Sequence, residues 1–317
     1  MTRAAVTGAG GFVGTNLVQR LLADGLDVAA IVRPGSDLWR LDGIDACIRE
    51  TDISDASAVA ETFADLRPAW IFHLAAHGAY SWQQDDDAII ATNVLGTANV
   101  VRAALDTGCE ALVFGGTSSE YGPLDYAPAE DEPVNPTTTY GLTKAFGTLY
   151  CSLVAREQSA PISVLRLYSA YGPFEDPRRL VPRLVSEALD GGLPQLASPE
   201  AAHDFVYVDD VCDAFVRAAE RAASPAGQVY NIGSGRQTTL RELVHFVTDR
   251  FEVGVEPRWS SMGDRPWDTA YWCADAAKAG RELDWRATTS LADGIDRFAS
   301  WLSSDPERRR RYAGSAA

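Results

Sequence analysis

The chain has 317 residues, 46% hydrophobic and 23% charged, and carries a formal charge of −16 at pH 7. That length buries a large core, as one big domain or two unequal lobes, and so negative a surface argues against non-specific binding to nucleic acid or an anionic membrane. No uninterrupted apolar run approaches a bilayer span, the opening residues carry no charged-then-apolar leader, and five scattered cysteines form no C-x-x-C pair; the expectation is a cytoplasmic protein with reduced thiols and no zinc site.

Ala4-Ala5-Val6 reads as a buried strand, and residues 16–23 read as an amphipathic helix carrying Leu17, Val18, Leu21 and Leu22. Between them lies Thr7-Gly8-Ala9-Gly10-Gly11-Phe12-Val13-Gly14, spaced Gly8-x-x-Gly11-x-x-Gly14. Strand, glycine turn and helix make the first half of a dinucleotide-binding βαβ unit. Gly8, Gly11, Phe12, Val13 and Gly14 are therefore assigned to a cofactor. Gly8 permits the tight turn, Gly11 lets backbone N–H groups approach a pyrophosphate, and Gly14 lets the helix pack closely on the strand.

Residues 27–32 read as a second strand, ending at Arg33-Pro34-Gly35-Ser36. An NAD site usually carries an acidic residue at that strand end for the ribose hydroxyls; here Val32 holds the place and Arg33 follows. A guanidinium suits a 2′-phosphate, so the expected cofactor is NADP or NAD, with NADP favoured. A short strand at 46–49 leads to Thr51-Asp52-Ile53-Ser54, then a helix at 56–66 is stopped by Pro68. Trp70-Ile71-Phe72-His73-Leu74-Ala75-Ala76 reads as a central strand whose small final residues let a flat cofactor lie against backbone. A helix at 88–105 carries Asn93, and 109–115 is another strand. This alternation predicts an α/β fold with a parallel, doubly wound sheet.

Phe114-Gly115-Gly116-Thr117-Ser118-Ser119-Glu120-Tyr121-Gly122 closes that strand, and Tyr140-Gly141-Leu142-Thr143-Lys144 opens a helix after Pro136. Tyr140 and Lys144 lie one turn apart on one helical face. The expectation is that the Lys144 ammonium lowers the pKa of Tyr140, making its phenolate a base near neutral pH. Thr117 would hydrogen-bond the same substrate oxygen.

Through Thr7–Gly14, Asp52-Ile53, His73-Leu74-Ala75-Ala76, Asn93, Thr117–Gly122 and Tyr140–Lys144, the sequence resembles the extended short-chain dehydrogenases/reductases that modify nucleotide sugars. That family includes UDP-galactose 4-epimerases and sugar-nucleotide 4,6-dehydratases. The likeness continues through Leu165–Pro173, His203–Asp210, Tyr230–Gly233, Arg265-Pro266-Trp267-Asp268 and Leu283-Asp284-Trp285, so it spans almost the whole chain. It implies a Rossmann lobe over 1–172, to which the chain returns near 203–235, and a smaller, mainly C-terminal α/β lobe from 173–202 and 236–317 for the nucleotide sugar. It also implies cofactor contacts from Asp52, Ile53, Leu74, Ala75, Ala76 and Asn93, with Lys144 on the nicotinamide ribose. Substrate contacts are implied for Tyr80, Ser81, Ser118, Ser119, Ser169, Arg179 and His203, with Arg265 as the phosphate clamp. Family members are commonly homodimers through helices that correspond here to 88–107 and 140–158.

The departures from that pattern carry weight. Where the 4,6-dehydratases place an acid and a base after the threonine stand Ser118 and Ser119, with Glu120 one place late, and hydroxyls cannot abstract a carbon-bound proton. The family's usual Asn before Tyr-Gly-Pro is Ser169, and its usual Arg before Asp-Phe is His203, so the diphosphate grip must differ. Two enzyme readings stay open. One is a nucleoside-diphosphate-hexose 4-epimerase, in which Tyr140 exchanges the O4 proton, Thr117 holds O4 and a nicotinamide exchanges hydride at C4. The other is an NADPH-dependent 4-keto-6-deoxyhexose reductase, which Arg33 favours. A non-catalytic NADP-binding regulator would need none of Thr117, Tyr140 and Lys144.

Overall fold

The strands nearest the N-terminus, β1 (Arg3–Thr7) and, after helix α1 (Phe12–Ala23), β2 (Asp27–Val32), are buried along nearly their whole length. Their runs of Ala, Val and Ile are apolar on both sides because helices cover both faces of the sheet they form. The computed structural model describes residues 2–222, 227–261 and 271–313. After β2 the chain adds β3 (Cys47–Glu50), α2 (Ala56–Leu66) and β4 (Trp70–His73). A 21-residue helical stretch, Asp86–Asp106, comes next. It comprises α3 (Asp86–Ile90), a π-helical segment (Ala91–Gly96) and α4 (Thr97–Asp106). Then follow β5 (Ala111–Thr117), α5 (Thr139–Gln158) and β6 (Ile162–Leu167).

The remaining elements are β7 (Ser169–Tyr171), α6 (Leu180–Ala188), β8 (Ala202–Tyr207), α7 (Val208–Glu220), β9 (Gln228–Ile232), β10 (Gln237–Thr239) and α8 (Leu240–Arg250). Three C-terminal helices complete the described chain: α9 (Ala277–Glu282), α10 (Leu291–Ser303) and α11 (Pro306–Ala313). Seven strands form one parallel sheet in the order β3-β2-β1-β4-β5-β6-β9, and β10-β8-β7 form a small second sheet. The doubly wound α/β expectation is met.

Two apolar layers sandwich the large sheet. On one face Leu17, Val18 and Leu21 of α1 pack with Val211 and Phe215 of α7. On the other, Phe63 of α2, Val100 and Val101 of α4 and Cys151 and Val154 of α5 form the second layer. A third core gathers Leu184, Val244, Ile295, Phe298 and Tyr312 from α6, α8, α10 and α11 beside the small sheet. Ala279, Leu283 and Trp285 lie within the 236–317 stretch, yet they pack with the α1–α7 layer of the large sheet.

Several boundaries differ from the sequence reading, each for a local reason. Helix α1 starts at Phe12, directly on Gly11, rather than at 16. Strand β4 stops at His73 because the Ala75 N–H turns to Thr7 Oγ1 (3.3 Å) instead of continuing a ladder. Strand β5 runs on through Thr117 because β6 pairs with it as far as Thr117↔Leu167. The π-helical segment surrounds Asn93, whose carbonyl accepts the Thr97 hydroxyl at 2.6 Å, diverting the oxygen an α-helix would give to the Thr97 N–H. By length and composition the 86–106 stretch could cross a membrane, and half of its most apolar window is buried inside the protein.

Candidate active site

The glycine turn follows β1. Gly8 has φ +70°, and a Cβ there would come within 2.6 Å of Ala75 N, so turn and β4 exit meet backbone to backbone. At Gly14 a Cβ would collide with the Gly8 carbonyl. Gly11 caps α1 with no side chain on its first amides, and the first turn holds no acidic residue. A Cβ at Gly11 would meet only the Gly8 carbonyl, at 3.1 Å, and the residue is exposed. Open amides at a helix N-terminus, without a competing carboxylate, fit a pyrophosphate. Arg33 is exposed immediately after β2, its carbonyl held by the Ser36 hydroxyl (2.7 Å). Asp52 is exposed after β3, bonded to the Ser54 N–H and hydroxyl, and Ile53 is buried.

Behind the turn runs a buried relay that sequence reasoning did not assign. The Thr97 hydroxyl donates to Asn93 O, so it accepts from His73 Nε2–H at 3.0 Å. His73 Nδ1 is then the acceptor for the Thr7 hydroxyl at 2.7 Å, and that oxygen receives the Ala75 N–H. Burial pushes the His73 imidazole down to about 3, with Lys144 adding to the shift, so it stays neutral. Asn93 accepts from the His77 N–H (2.8 Å) and donates to His77 O and Thr143 Oγ1 (both 2.9 Å). Its whole amide is thus spent tying the exit after Leu74-Ala75-Ala76 to α5.

At the end of β5, Thr117 caps a short 3₁₀ turn and its hydroxyl donates to Ser119 Oγ at 3.3 Å. Thr138 caps α5 through the Gly141 N–H (3.0 Å), placing Tyr140 in the first turn, where it hydrogen-bonds Thr117. Lys144, one turn on, is buried with its ammonium 4.1 Å from the centre of the Phe114 ring. The expected electrostatics are corrected here. Burial pushes the Tyr140 phenol up to about 12, the Glu120 carboxylate adds to the rise, and Thr117 and Arg179 oppose it. Lys144 is itself pushed down to about 8 by burial, with Glu120 opposing. The tyrosine's own desolvation, which a helical spacing does not reveal, sets the direction of its shift.

Glu120 points inward. Its carboxylate accepts from the Thr117 N–H (2.9 Å), the Thr148 hydroxyl (2.9 Å) and Arg166 Nε (2.8 Å). Arg166 Nη1 also donates to Tyr121 OH (2.7 Å), which donates to Asn231 Oδ1 (2.8 Å). This buried pair braces the Thr117 turn from behind. Ser118 Oγ accepts from Trp272 Nε1 at 3.0 Å, a contact across 154 positions.

Ser169 and His203 meet at 3.3 Å between β7 and β8. Burial, with Arg179 next, pushes His203 down to about 4, so it carries no positive charge near neutral pH. Tyr80 stacks on Trp82 at 4.8 Å, Ser81 is exposed, and Arg178 lies 3.5 Å over the Trp82 ring. Arg179 lies 6.0 Å over Tyr80 and acts electrostatically on Tyr140 and His203. Arg40 bonds Phe174 O (2.8 Å) and Gly10 O (3.4 Å), joining the loop after β7 to the glycine turn. Thr117, Tyr80 and Arg179 thus all bear on Tyr140, Ser119 bonds Thr117, and Arg179 bears on His203 as well. Arg265, Trp267 and Asp268 lie outside the described residues.

Residues 4–233 match the family described as NAD dependent epimerase/dehydratase. The chain is 34% identical to a UDP-glucose 4-epimerase of Mycolicibacterium smegmatis, over 92% of this chain and 96% of that one. It is 30% identical to a dTDP-glucose 4,6-dehydratase of Streptomyces antibioticus, over 98% and 97% of the two chains. Among solved structures it resembles the UDP-glucose 4-epimerase of Thermotoga maritima with UDP-glucose, at TM-score 0.88 and 27% identity, covering 96% of this chain and 99% of that one.

Proposed function

The chain belongs to the NAD dependent epimerase/dehydratase family, and from that premise we propose that it is a nucleoside-diphosphate-hexose 4-epimerase. The single observation that carries the choice within the family is Glu120. The carboxylate nearest Thr117 in sequence is buried against Arg166, and the two positions after Thr117 carry hydroxyls. Elimination of water needs a carbon acid deprotonated beside the tyrosine, and a carboxylate locked in a buried ion pair does not serve. Epimerisation needs only proton exchange at O4, a hydride partner and room for the sugar to turn.

Tyr140 accepts the O4 proton and returns it, and Thr117 holds O4 through the hydroxyl now shared with Tyr140 and Ser119. Gly8, Gly11, Phe12, Val13 and Gly14 hold the cofactor pyrophosphate, Asp52 and Ile53 face its adenosine, and Leu74, Ala75 and Ala76 line its path. Lys144 holds the nicotinamide ribose. The oxidised nicotinamide supplies a hydride acceptor and a positive charge that favours the Tyr140 phenolate. Arg179, His203, Ser169, Ser118, Ser119, Tyr80 and Ser81 take the nucleotide sugar, with Arg265 on its diphosphate. The working unit is a homodimer through the 86–106 stretch and α5.

A 4-ketoreductase remains the second reading, because Arg33 stands exposed after β2 where no carboxylate follows before Asp37. Arg33 favours NADP over NAD, so Arg33→Ala should weaken NADP more than NAD in direct titration. Equal loss for both would leave Arg33 a surface charge. The deciding experiment incubates the enzyme with UDP- and dTDP-sugars while following absorbance of reduced nicotinamide. Interconversion at C4 without net absorbance change supports the epimerase; stoichiometric consumption of NADPH supports the reductase; a 4-keto-6-deoxy product formed with no added reductant overturns both.

A further inference from the structure

We propose that Glu175 is a proton-operated positioning residue for Arg179: as the neutral acid it leaves the guanidinium to the substrate diphosphate, and as the carboxylate it competes for it. The inference rests on the nucleotide-sugar reading of the site.

The loop carrying both residues is pinned on its backbone. The Glu175 N–H bonds Gly172 O at 3.2 Å, Arg40 Nε holds Phe174 O, and the buried Tyr312 of α11 donates its hydroxyl to Glu175 O at 2.6 Å. With the backbone held, the Glu175 side chain is only 7% exposed. Its Oε1 lies 3.7 Å from Arg179 Nε, and its Oε2 is buried with no hydrogen-bond partner among the described residues. A carboxylate in that setting has one loose counter-ion and one unsolvated oxygen.

The charged and titratable neighbours come from four elements. Arg179 and Asp176 stand on its own loop, Tyr80 faces it from the loop after β4, and Tyr312 from α11. Arg40, from the connection between β2 and β3, bears on Tyr80, Asp176 and Tyr312. The neighbouring cations are committed elsewhere. Arg178 makes hydrogen bonds to both oxygens of Asp176 (3.0 and 2.9 Å), and Arg40 is spent on two carbonyls. Arg179, by contrast, is 49% exposed and sits at the N-terminus of α6, on the side of Tyr140 and His203. With His203 neutral and Arg178 spent on Asp176, Arg179 is, among the described residues of this loop, the exposed cation left for a dianionic ligand.

Burial pushes Glu175 up to about 8, against the pull of Arg179. Near neutral pH the acid form prevails and the guanidinium is free to turn to a phosphate. Above pH 8 a proton leaves to solvent, and the carboxylate holds Arg179 back. Binding the diphosphate reverses this step: Glu175 takes one proton from solvent, the guanidinium keeps its charge, and no covalent bond changes.

The test is calorimetric titration of the purified chain with UDP and with dTDP, between pH 7 and 9, in buffers of different ionisation enthalpy. In the unchanged protein affinity should fall about threefold to tenfold over that range, with about half a proton taken up per nucleotide near pH 8. Glu175→Gln keeps the shape and removes the charge, so both the affinity change and its share of the proton uptake should vanish. Arg179→Gln should weaken binding already at pH 7 and abolish the same pH dependence. Unaltered dinucleotide affinity in each variant reports an intact fold. Glu175→Gln protein that keeps the wild-type pH dependence and proton count overturns the proposal. Failure of UDP and dTDP alike to bind the unchanged protein overturns instead the nucleotide-sugar reading beneath it.

Discussion

Without its cofactor the chain holds Tyr140 as a protonated phenol, pushed up to about 12 by burial and by Glu120, with a hydrogen bond to Thr117 drawing it back. A residue that must take up the O4 proton in one half-reaction and return it in the next has to start as the phenolate, so it gains from a pKa that cofactor charge can lower. Tyr140→Phe keeps the ring and removes the exchanging group. General acid–base catalysis contributes about 10²–10⁴-fold, so turnover should fall by at least that range while dinucleotide affinity is retained. Thr117→Ser keeps the hydroxyl and should stay near wild type. A Tyr140→Phe enzyme turning over its sugar at the wild-type rate would end the mechanism. These residues were legible because a strand end and a four-residue helical spacing are local patterns. What surrounds them was not. Glu120 meets Arg166 across 46 positions and Ser118 meets Trp272 across 154, and no local pattern announces a buried ion pair. The tyrosine–lysine spacing was legible too, but not the desolvation that reverses its expected electrostatics.

Three elements are locked together by His73: its ring joins the end of β1 at Thr7, the end of β4 on which it sits, and the start of α4 at Thr97. The same relay holds the Ala75 N–H, so the glycine turn and the β4 exit keep their register. The fold class followed from strand and helix alternation, whereas this lock needed the topology that sets β4 beside β1. It has a pH signature. The native protein keeps His73 neutral down to about 3, while the unfolded chain takes up a proton below about pH 6.5. The unfolded state therefore binds more protons in that window, and stability falls as pH drops from 6.5 toward 3, by on the order of a few kcal/mol. His73→Gln does not titrate. In urea unfolding at pH 7 and pH 5 the variant should start less stable yet lose less between the two. Identical losses in both proteins would remove His73 as the source.

At the scale of the whole molecule, α5 works on two sides. Its inner side carries Tyr140 and buried Lys144; its outer side exposes Leu142 (61%), Phe146 (36%), Leu149 (57%) and Leu153 (44%), spaced four, three and four apart. Beside it, the 86–106 stretch exposes Ile90 and Leu95. An apolar row at that spacing is the seam of a helix pair, and two helices per chain facing their copies would form a four-helix contact. A net charge of −16 opposes self-association in general, which makes a continuous apolar row on this surface more telling. Fully burying a leucine is worth about 1.5–3 kcal/mol, and an aspartate in its place would add an unpaired charge to the seam. The unchanged chain should therefore sediment at twice 34.2 kDa, and Leu149→Asp at 34.2 kDa. Leu149→Asp should keep its dinucleotide affinity, because α1, which opens directly on the glycine turn, packs on one face of the large sheet and α5 on the other. A wild-type protein that sediments as a monomer at micromolar concentration would refute the homodimer and leave the row as ordinary exposed surface.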